Sequence, residues 1–311
     1  MNPSAPHIVV IGREGQVAHS LIETFPATGF RVAVLARPDV DLRDGPALRQ
    51  AIRAMAPDVV VNAAAYTAVD RAEDEPDLAF AINAGGAEAI AQGAADCNAA
   101  VIHFSTDYVY AGNNSEPYLE TDATGPIGVY GASKLEGERR VAKANPRHVI
   151  LRTAWVCSPY GNNFAKTMLR LAASRPELGV VDDQHGNPTF AADIASAVAD
   201  IAPRLLADGA AERYGVFHCV NEGSASWCMF ARAIMDGARL RGSPGVPVRA
   251  ITTADYPTKA KRPAFSRLST EKLHRVYGVR MRTWQLALSD CLDTLIGPPV
   301  SSLAVQNQKH Q

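Results

Sequence analysis

Near its start the chain reads Ile8-Val9-Val10-Ile11-Gly12-Arg13-Glu14-Gly15-Gln16-Val17-Ala18. The four branched apolar residues predict a buried strand, and the two glycines predict a tight turn that leads into a helix at Gln16. Glycine in such a turn lets the main chain approach a pyrophosphate, which then lies at the positive N-terminus of the helix. Ala18 is small enough for close packing of that helix on the strand. The predicted dinucleotide contacts in this turn are Gly12 and Gly15, and an ordinary tight turn is the alternative.

The first 155 residues alternate short β-branched runs with longer alanine-rich stretches. This alternation is typical of parallel βαβ units, whose strands are covered by helices on both faces. It predicts strands over 7–11, 31–36, 58–62, 101–105 and 148–153, and helices over 16–24, 48–55, 79–97 and 130–145. The later part of the chain predicts helices over 164–175, 189–206 and 226–241, a strand over 216–220, and a loop-rich stretch over 242–267.

These elements predict an α/β protein with a doubly wound parallel sheet and a smaller C-terminal lobe. We expect a nucleotide-binding domain over 1–155, completed by about 189–220. We expect a substrate-binding lobe over 156–188 and 221–297. Residues 298–311 are polar and lack periodicity, which predicts a flexible tail.

Composition excludes several classes of protein. Of 311 residues, 47% are hydrophobic, which is enough for a sizeable core, and 31 basic against 32 acidic residues leave a net charge of −1. This balance argues against binding nucleic acid or a membrane surface by bulk charge. The chain has no apolar run near the ~18 residues of a membrane helix, and its start lacks the features of a signal peptide. Five cysteines without a C-x-x-C pair suit buried thiols in a reducing compartment, so we expect a soluble cytoplasmic protein.

A candidate catalytic group lies in the middle of the chain. Tyr130 and Lys134 are four residues apart at the start of a predicted helix, so their side chains share a face. A phenol has a pKa of about 10, and a neighbouring ammonium stabilises its phenolate. Thr106 follows a predicted strand, where its hydroxyl can bind a substrate carbonyl as negative charge develops. The alternative makes Thr106 an ordinary strand-end residue.

The end of the second predicted strand discriminates between nicotinamide cofactors. An acidic residue there binds the 2′-hydroxyl of NAD, whereas a basic residue accommodates the 2′-phosphate of NADP. The chain has Arg37 at this place, with Arg13 in the first turn as a second cation. We therefore expect NADPH, with NADH tolerated, and two exposed surface arginines are the alternative. Asp41 and Leu42 follow and are expected at the adenine edge.

Longer motifs extend over most of the chain. They are NAAAYTAVD at 62–70, STDYVY at 105–110, YGASKLEGE at 130–138, RTAWV at 152–156, GNNF at 161–164, DQHGNPT at 183–189 and RPAFS at 262–266. Together they resemble the extended short-chain dehydrogenase/reductase family, from about residue 8 to 295. The resemblance implies a Rossmann-like fold and NADPH-dependent reduction of the C4 keto group of dTDP-4-dehydro-L-rhamnose to dTDP-L-rhamnose.

The resemblance also implies a role for each matching residue. Tyr130 would be the general acid, Lys134 would lower its pKa and bind the nicotinamide ribose, and Thr106 would polarise the keto group. Asp107 and Trp155 would border the deoxyhexose. The implied cofactor contacts are Gly15, Gln16 and Val17 at the pyrophosphate, Asp41, Leu42, Ala63, Ala64 and Ala65 at the adenosine, and also Tyr130 and Lys134.

Because a dTDP-sugar carries two negatively charged phosphates, we expect a cationic side chain in the second lobe to bind them. Arg262 is the first candidate, whereas Lys261 is interpreted as an exposed loop cation. His185 suits either a ligand contact or a surface turn. The histidines form no H-E-x-x-H or similar set, which argues against a zinc enzyme.

Four positions depart from the family pattern. Ala18 replaces a glycine, which is a small change, and Gly128 replaces an asparagine two residues before Tyr130, which is expected to loosen that loop. Phe265 replaces an asparagine, so one polar contact to the nucleotide is expected to be lost. Ser20 stands where metal-bridged relatives have a glutamate, so we expect no Mg²⁺ requirement.

Two other functions stay open at this point. One is another nucleotide-sugar reductase or epimerase of the same family; an epimerase would retain NAD without net consumption of NADPH. The other is a non-catalytic regulatory subunit that binds NADP(H). A homodimer is possible in each case.

Overall fold

The computed structural model describes residues 5–207 and 210–300. Its strands are β1 His7–Ile11, β2 Arg31–Leu35, β3 Val59–Asn62, β4 Ala100–Thr106, β5 His148–Thr153, β6 Val156–Cys157, β7 Leu178–Val181, β8 His185–Gly186, β9 Thr189–Phe190, β10 Gly215–His218, β11 Ala225–Ser226 and β12 Val248–Ile251. Its α-helices are α1 Gln16–Thr24, α2 Gly45–Met55, α3 Val69–Ala72, α4 Pro76–Phe80, α5 Ala87–Asp96, α6 Val129–Ala144, α7 Phe164–Ala172, α8 Ala191–Leu206, α9 Trp227–Leu240, α10 Glu271–Tyr277 and α11 Trp284–Ile296. The flexible tail expected over 298–311 lies outside the described residues from position 301 onward.

Six strands form a parallel sheet in the order β10-β5-β4-β3-β1-β2. Strand β2 lies on one side of β1, and β3, β4, β5 and β10 follow one another on the other side. The direction in which strands are added therefore reverses between β1 and β3. Ligands of open parallel sheets bind at the carboxyl ends of strands beside such a reversal. Gly12 follows β1 there, and the Ala63 N–H after β3 donates to the Ile11 carbonyl at 3.1 Å. The doubly wound parallel sheet predicted from the sequence is confirmed.

Helices cover both faces of this sheet. Every residue of β1, β3 and β4 is buried, which explains why these strands consist mostly of apolar residues. One face packs against α1 and α8, and the other against α2, α5 and α6. The late elements α8 and β10 therefore belong to this layered structure, although they follow residue 155 in the chain.

A second core lies among the later elements. It joins α7, α9 and α11 with β7, around the buried ring of Phe230 and the buried thiol of Cys157. Within the two described ranges, none of the helices is long and apolar enough to cross a lipid bilayer.

Two predictions of secondary structure were wrong in part. The single helix predicted over 79–97 consists of α4, a π-helical stretch Ala81–Gly86 and α5. In the π-helical stretch Asn83 turns inward, where its amide accepts from the Tyr66 N–H at 2.8 Å and donates to the Tyr66 carbonyl at 3.0 Å. The loop-rich stretch 242–267 contains β12, because this segment pairs with β7, which lies about seventy residues earlier. Local periodicity carries neither of these long-range contacts.

Candidate active site

The glycine turn has the geometry of an anion cradle. Gly12 has a φ of +108°, which favours glycine, and a Cβ there would lie 3.4 Å from the Ala64 side chain. Helix α1 begins at Gln16 with Gly15 at its N-cap. Because a glycine cap has no side chain to bond the first-turn N–H groups, these donors can bind a phosphate. The turn therefore fits the pyrophosphate that the sequence predicts for it.

The charged residues near the expected adenosine end are mostly paired. Asp41 accepts three side-chain hydrogen bonds from Arg43, which hold the pKa of that carboxyl down at about 2. Arg13 lies 3.7 Å from Asp39 across the surface. Arg37 is exposed, two residues after the end of β2. Leu42 packs close to the π-helical stretch, and Ala63, Ala64 and Ala65 follow β3 beside the glycine turn.

The three predicted catalytic residues converge at the end of β4. Thr106 is the last residue of that strand, and its hydroxyl, which donates to Asp107 Oδ1 at 3.1 Å, lies beside the Tyr130 phenol. Lys134, one helical turn beyond Tyr130, donates its ammonium proton to the Phe104 carbonyl at 2.6 Å. The Tyr108 ring meets the Tyr130 ring edge to face, with centroids 5.6 Å apart. A phenol, a hydroxyl and an amine thus surround one strand end.

Burial shifts the pKa values of this group. Burial raises the pKa of Tyr130 to about 12. The Thr106 hydroxyl acts to lower this pKa, and the Asp107 charge acts to raise it further. Burial lowers the pKa of Lys134 to about 8, which the Glu138 charge opposes. The phenol therefore keeps its proton at neutral pH, as a proton donor must. The expected lowering of the Tyr130 pKa by Lys134 stays a prediction.

Asp107 is a buried carboxyl in the same place. Its Oδ1 accepts from the Thr106 hydroxyl at 3.1 Å, and the Ser266 side chain lies nearby. Burial raises its pKa to about 6. Across residues 5–207 and 210–300, its Oδ2 finds no hydrogen-bond partner. Such an oxygen can accept a hydrogen bond from a sugar hydroxyl.

Behind the catalytic group lies a buried ion pair that our sequence analysis missed. Arg152 of β5 donates to both oxygens of Glu138, with Nε–Oε1 at 2.9 Å and Nη2–Oε2 at 2.7 Å. Ser105 donates to the same carboxylate at 2.5 Å, and Arg152 also donates to the Tyr110 hydroxyl at 2.6 Å. Two signals were available: Glu138 lies one turn beyond Lys134, and Arg152 interrupts an otherwise apolar strand.

The start of α6 is held by a side chain from the sheet domain. The Val129 N–H donates to Glu73 Oε1 at 2.9 Å, so a carboxylate satisfies a first-turn donor of the helix that carries Tyr130. The loosening expected from Gly128 is thereby opposed, because the next residue is anchored directly.

The residues expected at the sugar and phosphates have partners within the chain. Trp155 stacks on Trp227 with ring centroids 3.5 Å apart and planes 7° apart. Arg262 forms a two-point ion pair with Asp70, with Nη2–Oδ2 at 2.8 Å. Binding phosphate with Arg262 would require Asp70 to share or release it. The Trp227 ring was missed from the sequence, since nothing local links it to Trp155.

Phe265, the aromatic replacement for the family asparagine, is 38% exposed. Its ring stacks on His185 with centroids 5.3 Å apart and planes 6° apart. The described ranges hold no group of three or more histidines, cysteines or acidic residues that could bind a metal ion. Whether metal is dispensable stays a prediction.

The parallel sheet, the glycine turn at its reversal and the Thr–Tyr–Lys group define an oxidoreductase of the short-chain dehydrogenase/reductase class with a Rossmann-like fold. The chain belongs to the RmlD substrate binding domain family, whose model matches residues 6–296. It is 48% identical over 278 residues to a dTDP-4-dehydrorhamnose reductase of Sinorhizobium fredii, covering 89% of this chain and 94% of that protein.

Two solved structures of proteins with the same name are similar over the same range. The Clostridium acetobutylicum protein has a TM-score of 0.87 and 37% identity, covering 93% of this chain and 99% of that one. The Bacillus anthracis protein, solved in complex with NADP, has a TM-score of 0.86 and 33% identity, with the same coverage of both chains. Both likenesses extend through the sheet and the later lobe.

Proposed function

We propose that this protein uses NADPH to reduce the C4 keto group of dTDP-4-dehydro-L-rhamnose, forming dTDP-L-rhamnose. The observation that carries the proposal is the meeting of Thr106, at the end of β4, with Tyr130 and Lys134 on α6, where the Lys134 ammonium donates to the Phe104 carbonyl of the same strand at 2.6 Å. Eight proteins named for this reduction share 38–48% identity with most of the chain, and a further one, at 33% identity, was solved with NADP. We extend both the substrate and the cofactor to this protein on that basis.

Each group in the site has a chemical task in this reaction. NADPH, when bound, supplies the hydride that reduces C4. Thr106 donates a hydrogen bond to the keto oxygen and stabilises the charge that develops there. Tyr130 transfers its phenolic proton to the same oxygen, since its raised pKa keeps it protonated at neutral pH. Lys134 holds the nicotinamide ribose and stabilises the phenolate that remains.

The remaining site residues bind and orient. We propose that Gly12, Gly15, Gln16 and Val17 hold the pyrophosphate and that Arg37 takes the 2′-phosphate. Asp107 and Trp155 would border the sugar, and Arg262 would move from Asp70 to the sugar nucleotide's phosphates. In this division residues 1–155 with about 189–220 bind the cofactor, and 156–188 with 221–297 bind the substrate.

The decisive experiment is turnover of enzymatically prepared dTDP-4-dehydro-L-rhamnose, with NADPH and NADH compared. We expect stoichiometric oxidation of NADPH and formation of dTDP-L-rhamnose, with slower turnover on NADH. Retention of tightly bound NAD without net cofactor oxidation would indicate an epimerase instead. Binding of NADP(H) without turnover of any nucleotide sugar would favour the regulatory subunit.

The activity should also depend on pH through Lys134. Burial lowers the Lys134 pKa to about 8, so the ammonium loses its proton as the pH rises through this value. We expect kcat/KM to fall there, because the neutral amine no longer stabilises the phenolate.

Lys134→Arg is the matched variant for this profile. A guanidinium stays charged throughout the range, so the alkaline limb should move to higher pH even though overall activity is lower. If kcat/KM of the wild-type protein stays constant up to about pH 9.5, deprotonation of Lys134 does not control the activity.

We further propose a cytoplasmic location. The five cysteines all lie in the described ranges and are free thiols, as suits a reducing compartment. Assembly as a homodimer stays a prediction.

A further inference from the structure

Gln16, the first residue of helix α1, contacts residues 156–163, the segment that leads into the substrate lobe. Its amide nitrogen donates to the Val156 carbonyl at 3.1 Å. Its amide oxygen accepts from Ser158 Oγ and from Asn163 Nδ2, both at 2.9 Å. Both ends of the amide are therefore satisfied by one segment, which distinguishes this contact from that of a solvated glutamine.

The same face of α1 extends the contact over two further turns. His19 and Glu23 lie three and seven residues beyond Gln16 and share its face. The His19 ring stacks on Tyr160 with centroids 3.7 Å apart, and the Tyr160 hydroxyl donates to Glu23 at 2.7 Å. Helix α1 and this segment thus form one continuous contact.

Trp155, directly before this segment, has an unfavourable backbone conformation. Its φ of +47° lies in the left-handed region. This conformation is unfavourable for a residue with a Cβ, so contacts with the surrounding residues must stabilise it. The Trp155 carbonyl accepts from the Thr189 N–H at 3.3 Å, and the next carbonyl, that of Val156, accepts from Gln16. Gly186 provides the space, since a Cβ there would lie 2.6 Å from the Trp155 ring.

We propose that Gln16 is a positioning residue for the sugar site. Its main chain opens the helix that takes the cofactor pyrophosphate, while its side chain fixes the peptide that follows Trp155. The cofactor helix thereby sets the position of the aromatic wall that borders the sugar. This inference rests on the proposed function for the sugar, but the position of Trp155 can be measured without any ligand.

Two substitutions separate this role from simple anchoring of the loop. Gln16→Glu keeps the acceptor for Ser158 and Asn163 but cannot donate to Val156, whereas Gln16→Met removes all three hydrogen bonds. If the bond to Val156 is what matters, both variants should raise KM for the dTDP-sugar about tenfold and lower kcat by less than about threefold. Ser158→Ala is the control, because it removes one anchor of the loop and leaves the bond to Val156; its KM should stay within about twofold.

A spectroscopic readout tests the position of Trp155 in the protein alone. Rings stacked at 3.5 Å should give an exciton couplet in the far-ultraviolet circular dichroism, which Trp227→Phe should abolish and so assign. We expect the couplet to shrink in Gln16→Glu and Gln16→Met and to persist in Ser158→Ala. An unchanged couplet in both Gln16 variants, or a Gln16→Glu protein with wild-type KM, overturns the inference. A couplet that shrinks in a protein that never turns over the dTDP-sugar would sink the proposed function while sustaining the positioning role.

Discussion

Tyr130→Phe lowers kcat for the dTDP-sugar by about 10³-fold, the range in which loss of a positioned general acid falls. The substitution removes one oxygen and keeps the ring, so its contact with Tyr108 is retained. The keto oxygen then gains negative charge with no proton to receive, and only the Thr106 hydroxyl remains to stabilise it. Because the pKa of Tyr130 is about 12, the wild-type phenol is protonated throughout the usual assay range, so the loss should be similar from pH 6 to 8.

The measurement is single-turnover oxidation of NADPH, combined with the Kd for NADPH from fluorescence titration. The Kd should change by less than about threefold, because Lys134 and the glycine turn are unaltered. Tyr108→Phe is the matched control, since it removes a hydroxyl from the neighbouring ring, and it should lose less than about tenfold. Turnover of Tyr130→Phe at the wild-type rate would exclude the phenol as the proton donor.

Arg152→Met lowers the free energy of unfolding by about 3–5 kcal/mol, the usual result of removing one partner of a buried ion pair. The Arg152 and Glu138 side chains are each only 5% exposed. Without the guanidinium, the buried Glu138 carboxylate keeps the hydrogen bond from Ser105 but loses its counter-charge. The free-energy cost of removing this charge from water is then largely uncompensated. Glu138→Gln should be destabilised in the same range, because Arg152 then loses its counter-charge.

Urea denaturation measures this difference, provided that the m-value is unchanged. The control is Arg140→Met, which removes the solvent-accessible ion pairs of Arg140 with Glu136 on the same helix and Glu88 on α5, and it should cost less than about 1 kcal/mol. The double variant Glu138→Leu with Arg152→Met should recover much of the loss, since no buried charge is left unpaired. Equal costs for Arg152→Met and Arg140→Met would contradict a structural role for the buried pair.

The two predictions concern residues that differ in how far the sequence reveals them. Tyr130 and Lys134 are visible as a spacing of four on one helix, and Thr106 as the residue after an apolar strand. These are local patterns, and the fold brings them together as the strand order implies. Glu138 and Arg152 are equally close in the fold, but they come from a helix and a strand whose partnership depends on the packing of α6 against β5.

Similar limits apply around the substrate lobe. Trp155 was expected at the sugar, yet it stacks on Trp227, a residue about seventy positions later in the chain. Arg262 was expected to be available for phosphate, whereas the structure pairs it with Asp70, almost two hundred residues earlier. A sequence shows which side chains are charged or aromatic. It does not show which residue will form an ion pair with the charge or stack on the ring.

The sequence alone determined the alternation of strands and helices in the first 155 residues, the glycine turn and the spacing of the proton-donating pair, because periodicity and short spacings act within a few residues. Only the tertiary structure decided the buried Glu138–Arg152 pair, the π-helical stretch that turns Asn83 inward, and the bond from Gln16 to the peptide after Trp155. Each of these depends on contacts between different elements, 14 residues apart for Glu138–Arg152, 17 for Asn83–Tyr66 and 140 for Gln16–Val156, whose distances are set by packing rather than by neighbouring residues.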